Sequence, residues 1–142
     1  MTMPKALSPE AGSRTVEGTV NLLIVEDEAL VASYIQDVLE ESGFTIAGVA
    51  STGPEALSLA GDVALTLALV DIKLAGPMDG IEVAKLLRER HSVPSIFLSG
   101  MHDPETMRRA QTADPLGFLQ KPFRPSQVFN ALEKARAKLK RT

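Results

Sequence analysis

The chain has 142 residues, no cysteine, a net charge of −3 at pH 7 and 44% hydrophobic residues, which is typical of one globular domain. So small a charge does not indicate nucleic acid or a membrane surface as a partner, and no apolar run approaches the about 20 residues that span a bilayer. The lack of cysteine excludes disulfides and thiolate metal sites, and we expect a protein of the reducing cytoplasm.

Residues 1–19 mix Pro, Ser, Gly and Thr with balanced charges and show no apolar period. We interpret them as a flexible tail or a linker, because such a segment has too little apolar surface to pack. They also lack the apolar stretch of a secretory signal. An ordered domain is expected from residue 20 to residue 142.

The first half of that domain alternates between two apolar patterns. A continuous apolar run at 20–25 predicts a strand that is buried on both faces. The residues after it have the spacing of a helix that Gly43 would end. The expected apolar face of this helix comprises Leu30, Val31, Tyr34, Ile35, Val38 and Leu39. A short strand is predicted over 44–50 and a short helix over 54–61, with Pro54 in its first turn.

The second half continues the alternation. Strands are predicted over 64–70, 94–100 and 116–120, and helices over 81–91, from Pro104 to about Thr112, and over 125–140. Asp103 is a good N-cap for the helix that begins at Pro104. Strands that alternate with helices predict an α/β fold with a parallel sheet covered on both faces, and right-handed crossovers limit it to a few doubly wound arrangements.

Polar residues stand where these strands end. They are Glu26, Asp27 and Glu28 after the first strand, Asp71 after the third, Ser99 in the fourth, and Lys121 with Pro122 after the fifth. The second strand ends in small residues, Ala50 and Ser51. Because ligand sites of such sheets form at the carboxyl ends of the strands, we expect the polar side chains to meet there.

The residue types in this set suit the binding of a metal ion and a phosphoryl group. Clustered carboxylates raise each other's pKa unless a cation joins them. Oxygen ligands without His or Cys favour Mg²⁺, and a lysine and a hydroxyl suit the oxygens of a transferring phosphoryl group. An aspartate can itself be the nucleophile and form an aspartyl phosphate. The sequence therefore predicts a metal-assisted phosphoryl acceptor.

The motifs, in this order, resemble those of the receiver domains of two-component response regulators over about residues 20–141. The matching features are the acids after "LLIV", Asp71 in "LALVDIKL", "MDG" at 78–80, Ser99 in "IFLSG", and Phe118 three residues before the lysine of "KPF". The resemblance identifies residues 20–142 as a receiver domain, and implies a five-stranded sheet of flavodoxin-like order 2-1-3-4-5.

The resemblance also implies how the acceptor would work. A histidine kinase or a histidine phosphotransfer protein would donate a phosphoryl group to Asp71. Mg²⁺ would bind Asp27, Asp71 and the backbone carbonyl of Lys73, with Glu26 acting through water, and Lys121 would pair with a phosphoryl oxygen. Such a protein is a signalling phosphoacceptor, which catalyses only its own phosphorylation and dephosphorylation.

A second group of residues is implied to carry the switch. Ser99 would move to bond another phosphoryl oxygen beside the small residue Gly100, and Phe118 would rotate inward behind it. A downstream protein would read this change on the fourth helix, fifth strand and fifth helix. The bond between Lys121 and Pro122 is a candidate cis peptide. Homodimerisation is left open.

Four features depart from the common pattern. Glu26 stands where Asp is commoner, and Phe118 lacks the hydroxyl of the frequent Tyr. The loop 71–79 is one residue longer than the usual form. Arg124 is a poor N-cap for the last helix. Glu28, by contrast, is interpreted as an ordinary acid in the first turn of the first helix.

The same residues also bear on three other functions that this type of fold can have. A haloacid-dehalogenase-type phosphatase also uses an aspartyl nucleophile, but its nucleophile ends the first strand in a D-x-D arrangement, whereas Asp71 follows a middle strand. A nucleotide or flavin binder would need a Gly-rich loop after the first strand. A phosphorylation-independent interaction module on the same fold stays an alternative. We expect a stand-alone receiver, with a receiver excised from a larger protein as the other possibility.

Overall fold

Five strands alternate with five helices in the computed structural model, which describes residues 20–100 and 103–140. The strands are β1 (Asn21–Val25), β2 (Thr45–Ala50), β3 (Leu67–Asp71), β4 (Ser95–Ser99) and β5 (Gly117–Gln120). The helices are α1 (Ala29–Glu41), α2 (Gly53–Asp62), α3 (Gly80–His91), α4 (Pro104–Gln111) and α5 (Pro125–Lys140). All strand pairs are parallel and their order is β2-β1-β3-β4-β5, which confirms the expected fold. The expected tail at 1–19 lies outside the described residues.

The central strands are buried on both faces because each face has its own layer of helices. Along β1, Leu23 and Val25 join a hydrophobic cluster with α2, α3 and α4, while Leu22 and Ile24 join a second cluster with α1 and α5. Successive residues of a strand point to opposite faces, so a continuous apolar run serves both clusters. Within the described residues, no helix has the length and apolar character that crossing a bilayer requires.

Side chains at the helix ends set where the chain turns. The Thr52 hydroxyl accepts a hydrogen bond from the Glu55 N–H in the first turn of α2, and the Asp103 carboxylate accepts one from the Thr106 N–H in the first turn of α4. Gly43 follows α1 with a φ of +92°, the left-handed conformation expected of the residue that ends this helix. At the start of α5, the Gln127 Oε1 accepts the Arg124 N–H at 2.7 Å, which is half of a capping box.

Two predictions about elements are wrong. The third strand begins at Leu67 and not at residue 64, because its ladder with β1 begins at the pair Leu22–Leu67. The carbonyl of Ala64 accepts the Asn21 side chain instead. Glu28 is not in the first turn of α1 but at its N-cap, where its side chain makes no capping hydrogen bond.

The apolar face predicted for α1 is only partly buried. Ala32, Ile35, Val38 and Leu39 are buried, but Leu30 is 87% exposed and Tyr34 is 40% exposed. Leu30 and Tyr34 lie one turn apart on the same side of α1, whereas Ala32, between them in the sequence, is buried on another side. The predicted apolar face is therefore too wide around the helix axis, and only part of it meets the sheet.

Candidate functional site

Three carboxylates meet at the carboxyl edge of the sheet. Asp71 is the last residue of β3, and Glu26 and Asp27 directly follow β1, the neighbouring strand. One oxygen of each side chain lies within 4.8 Å of the others. Glu26 and Asp71 are only 2% and 5% exposed, whereas Asp27 is exposed. The fold therefore brings together the acids that end two adjacent strands.

A lysine from the end of β5 reaches into this cluster. Lys121 Nζ donates to Glu26 Oε1 at 3.0 Å and to Asp71 Oδ2 at 3.1 Å. Its backbone N–H donates to the Ser99 carbonyl at 2.7 Å, and its peptide bond to Pro122 is cis. The ammonium group thus lies between the two buried carboxylates.

Three backbone amides hold the other oxygens of the carboxylates. These bonds run from Glu28 N–H to Glu26 Oε2 at 3.1 Å, from Lys73 N–H to Asp71 Oδ1 at 3.1 Å, and from Ala75 N–H to Asp27 Oδ2 at 3.0 Å. The last bond shows that the extended loop after β3 folds over the end of β1. Hydrogen bonds of this charge-assisted kind fix the orientation of each carboxylate.

The electrostatics of the cluster favour an additional cation. Burial raises the pKa of the Glu26 carboxyl to about 7, and the hydrogen bonds from Lys121 and the Glu28 N–H only partly offset this effect. Burial also acts to lower the pKa of Lys121, but its hydrogen bonds to Glu26 and Asp71 outweigh it and the pKa is raised. One charged ammonium therefore serves two buried carboxylates, with the Asp27 carboxylate beside them.

The donor set fits a hard divalent cation. Mg²⁺ binds oxygen ligands and usually takes one or two carboxylates. The clustered side chains offer carboxylate oxygens alone, and Asp27 and Lys73 also line an adjoining cavity of about 420 Å³.

The residues expected to switch lie on the other side of Asp71. Ser99 is the last residue of β4 and is buried. Phe118 lies in β5, where it is half-buried and its ring centroid is 5.8 Å from that of Phe97. A Cβ added at Gly100 would meet nothing within 4 Å, so close packing does not explain this glycine.

Comparison with known proteins identifies the family. A sequence model described as "Response regulator receiver domain" matches residues 22–133. The chain belongs to the response regulator receiver family. This membership implies a phosphoacceptor role in two-component signalling, and such domains are generally signalling modules and not conventional enzymes.

Relatives agree with this assignment. The transcriptional regulatory protein PdtaR of Mycobacterium tuberculosis is 33% identical over 114 residues, which cover 80% of this chain and 55% of that protein. The phyllosphere-induced regulator PhyR of Methylorubrum extorquens is 31% identical over 131 residues, which cover 91% of this chain and 48% of that protein. The chain therefore spans about half the length of these relatives.

A solved structure supports the receiver fold. The signal receiver domain of a modulated diguanylate cyclase from Desulfovibrio desulfuricans superposes with a TM-score of 0.81 at 38% sequence identity. The match covers 86% of this chain and 97% of that one.

Gly80 is a residue of this receiver site whose role the sequence analysis did not explain. A Cβ added at Gly80 would lie 1.9 Å from the backbone oxygen of Asp71, and the Gly80 N–H donates to the Ile72 carbonyl at 2.8 Å. The start of α3 therefore lies directly on the backbone of the expected acceptor. The motif "MDG" after the third strand was the available signal, but only the structure shows why its last residue is glycine.

The receiver also carries an apolar depression beside the acid cluster, which sequence reasoning missed. It has a volume of about 510 Å³ and is lined by Leu30, Val31, Tyr34, Lys121, Pro122 and Phe123. The Tyr34 hydroxyl donates to the Phe123 carbonyl at 3.2 Å, which ties α1 to the loop after β5. We call these six residues the α1 depression.

Proposed function

We propose that Asp71 is the phosphoacceptor of this receiver and takes a phosphoryl group from a phosphohistidine on a partner protein. The observation that carries the proposal is the position of its buried carboxylate, 3.1 Å from the Lys121 ammonium and within 4.8 Å of the Glu26 and Asp27 carboxylates. Fixed opposite charge beside a carboxylate is what an incoming phosphoryl group requires.

The transfer is a simple displacement. A carboxylate oxygen of Asp71 forms the new P–O bond, the P–N bond to the donor histidine breaks, and the nitrogen keeps the electron pair. Each carboxylate oxygen has two lone-pair directions, so an oxygen that accepts a hydrogen bond can still attack. Lys121 then moves its hydrogen bond from Asp71 Oδ2 to a phosphoryl oxygen. Its contact with Glu26 keeps it close to that position.

The cation expected here is Mg²⁺. Asp27, Asp71 and the backbone carbonyl of Lys73 would hold it, and Glu26 would act through water. When bound, it would supply positive charge to the phosphoryl oxygens. The Ala75 N–H donates to one oxygen of Asp27 and thereby fixes the orientation of this carboxylate beside the cluster.

The donor protein docks on the α1 depression in this proposal. Exposed apolar surface of this kind is typical of protein interaction sites. Lys121 lines the depression and also bonds Asp71, so a protein seated on Leu30 brings its histidine to the edge of the acceptor site.

The output depends on the side of the site formed by β4, α4 and β5. Ser99 would bond a phosphoryl oxygen next to Gly100, and Phe118 would repack against Phe97 as it turns inward. Because Phe118 has no hydroxyl, this step rests on packing alone. A downstream protein would recognise the changed surface of α4, β5 and α5.

The direct test is to incubate the protein with Mg²⁺ and a small acyl phosphate, and to measure its intact mass. We expect one added phosphoryl group that hydroxylamine removes, because aspartyl phosphates are acyl phosphates. Asp71→Asn should remain unmodified. Asp114→Asn is the matched control, since Asp114 is exposed and asparagine tolerates its positive φ. An adduct that persists in Asp71→Asn, or no adduct with small and protein donors alike, would falsify the proposal.

A further inference from the structure

An ion pair joins α4 to the loop that follows the acceptor. Arg109 Nη2 in α4 donates to Asp79 Oδ2 at 3.0 Å. Both side chains are partly exposed, Arg109 by 45% and Asp79 by 34%. The pair connects elements that are far apart in the sequence, which distinguishes it from the neighbouring pair Arg108–Glu105 within α4 itself.

Asp79 is held rigidly at its own end. Its other oxygen, Oδ1, accepts the Glu82 N–H at 2.9 Å, and Glu82 Oε1 accepts the Asp79 N–H at 3.0 Å. This reciprocal capping box anchors the Asp79 carboxylate to the first turn of α3. Arg109 therefore binds a carboxylate whose position α3 has already fixed.

The residue after Asp79 lies directly on the acceptor. The Gly80 N–H donates to the Ile72 carbonyl, and the position of its Cα leaves no room for a side chain above the Asp71 carbonyl. A continuous chain of contacts therefore runs from Arg109 through Asp79 and Gly80 to the backbone of Asp71.

The helix α4 is thinly packed. Ala110 alone is buried among the residues of α4, all of which are described. A cavity of about 420 Å³, lined by Ile72, Thr106 and Arg109 among others, separates α4 from the loop after β3. The Arg109–Asp79 pair spans this gap and is a side-chain tie between a thinly packed helix and the N-terminus of α3.

We propose that the Arg109–Asp79 ion pair is a latch that holds α4 in its unphosphorylated position and thereby opposes phosphorylation of Asp71. The inference rests on the proposed function. In this proposal, a movement of Ser99 at the end of β4 toward a phosphoryl group displaces α4, the next helix in the chain, and lengthens the pair. By linkage, a contact made only in the unphosphorylated state lowers the affinity of the site for the phosphoryl group.

The test compares Arg109→Gln with Arg108→Gln, which removes the same charge from the same helix without touching Asp79. Two quantities are measured: amide hydrogen exchange of α4 in the unphosphorylated protein, and the rate of phosphorylation by a small acyl phosphate with Mg²⁺. We expect Arg109→Gln to exchange faster in α4 and to be phosphorylated about two- to five-fold faster, the range that a partly exposed ion pair allows. Arg108→Gln loses only its pair with Glu105 inside α4, so it should be phosphorylated at the rate of the unaltered protein and change α4 exchange less than Arg109→Gln does.

Asp79→Asn gives a second, independent variant. Asparagine caps a helix as well as aspartate does, so α3 is kept while the ion pair is lost. The double variant with Arg109→Gln should then be no faster than either single variant, because both remove the same contact.

The latch is overturned if Arg109→Gln is phosphorylated at the rate of Arg108→Gln or more slowly, or if α4 exchange is unchanged. If the unaltered protein accepts no phosphoryl group, the proposed function itself fails. The exchange comparison would still decide whether the pair holds α4.

Discussion

The helices α3 and α4 flank the same site but are packed very differently. α3 begins on the backbone of Asp71 and buries several residues, namely Gly80, Ile81, Val83, Ala84 and Leu87. α4 buries Ala110 and is otherwise at least partly exposed. The free energy of local opening follows buried contacts, so α3 belongs to the fixed part of the site and α4 to the part that can move.

The carboxylates and the aromatic residue of the site follow a similar division. On the side of β1 and β3, backbone amides or Lys121 hold the carboxylates of Glu26, Asp27 and Asp71. On the side of β5, Phe118 is half-buried and rests against Phe97. A fixed half suits the chemistry, which needs preorganised charge, and a loosely packed half suits a response that must move.

The largest effect is expected where α3 meets the acceptor. Gly80→Ala would place a methyl group 1.9 Å from the Asp71 carbonyl oxygen, and backbone atoms cannot move aside as a flexible side chain can. Forcing an extra methyl group into such a contact costs about 1–3 kcal/mol of unfolding free energy. Urea denaturation measures this loss, and phosphorylation of the folded fraction should also slow because Asp71 is displaced.

Gly61→Ala is the matched control for this variant. Gly61 lies in α2, and a Cβ there would meet the His91 Cε1 at an ordinary 3.8 Å. Alanine is the better helix former by about 1 kcal/mol, so this variant should be stabilised. If Gly80→Ala and Gly61→Ala destabilised the protein equally, the close contact between α3 and the Asp71 backbone would not be the cause.

Gly80 illustrates what the sequence could and could not predict. Strand ends were predictable because parallel strands finish at one edge, so Glu26, Asp71 and Lys121 could be assigned to a common site from their positions alone. The contact between Gly80 and Asp71 depends on how closely a helix approaches a strand. No periodicity encodes that distance.

The next largest effect is expected on Mg²⁺ binding, for which Asp27 and Glu28 should differ. Asp27→Asn should weaken Mg²⁺ binding by about 10-fold or more, since even residues that only support metal ligands are worth about 10–100-fold. Glu28→Gln should bind Mg²⁺ normally, because Glu28 contributes its backbone N–H to the site and its side chain is exposed. The rise in melting temperature on adding Mg²⁺ reports binding without any phosphodonor.

The Mg²⁺ binding of these two variants decides whether the fixed half of the site is a cation site. If Asp27→Asn retained the full Mg²⁺-dependent stabilisation, the fixed half would not be a cation site. Equal losses from Asp27→Asn and Glu28→Gln would instead indicate a general effect of negative charge at the start of α1.

The exposed part of α1 shows why sequence patterns fall short at the site. Leu30 and Tyr34 recur at helical spacing with the buried residues of α1, yet they stay exposed while Ala32, between them, is buried. Apolar spacing can continue around the helix axis past the stripe that meets the sheet, and it does not mark where that stripe ends. An interaction surface can therefore be part of an apparently ordinary core pattern.

The smallest effect is expected at Leu30, and it should depend on the donor. Leu30→Ala removes an 87% exposed side chain, so stability should change little. Phosphorylation by a small acyl phosphate should also be unchanged. With a purified phosphorylated histidine kinase or phosphotransfer protein, selected from a panel as the fastest donor, the rate should fall by about 3–10-fold. That corresponds to the loss of roughly one or two CH₂ groups of burial, as expected of a partly covered leucine.

Val63→Ala controls for the loss of an exposed apolar side chain elsewhere, since Val63 is 37% exposed at the end of α2. It should leave both donors unaffected. A Leu30→Ala rate that falls equally with both donors would mean that the side chain supports the site and does not dock the donor protein. A selective loss with the protein donor would place docking on α1, apart from α4, so that the donor and the response would use different faces of one site.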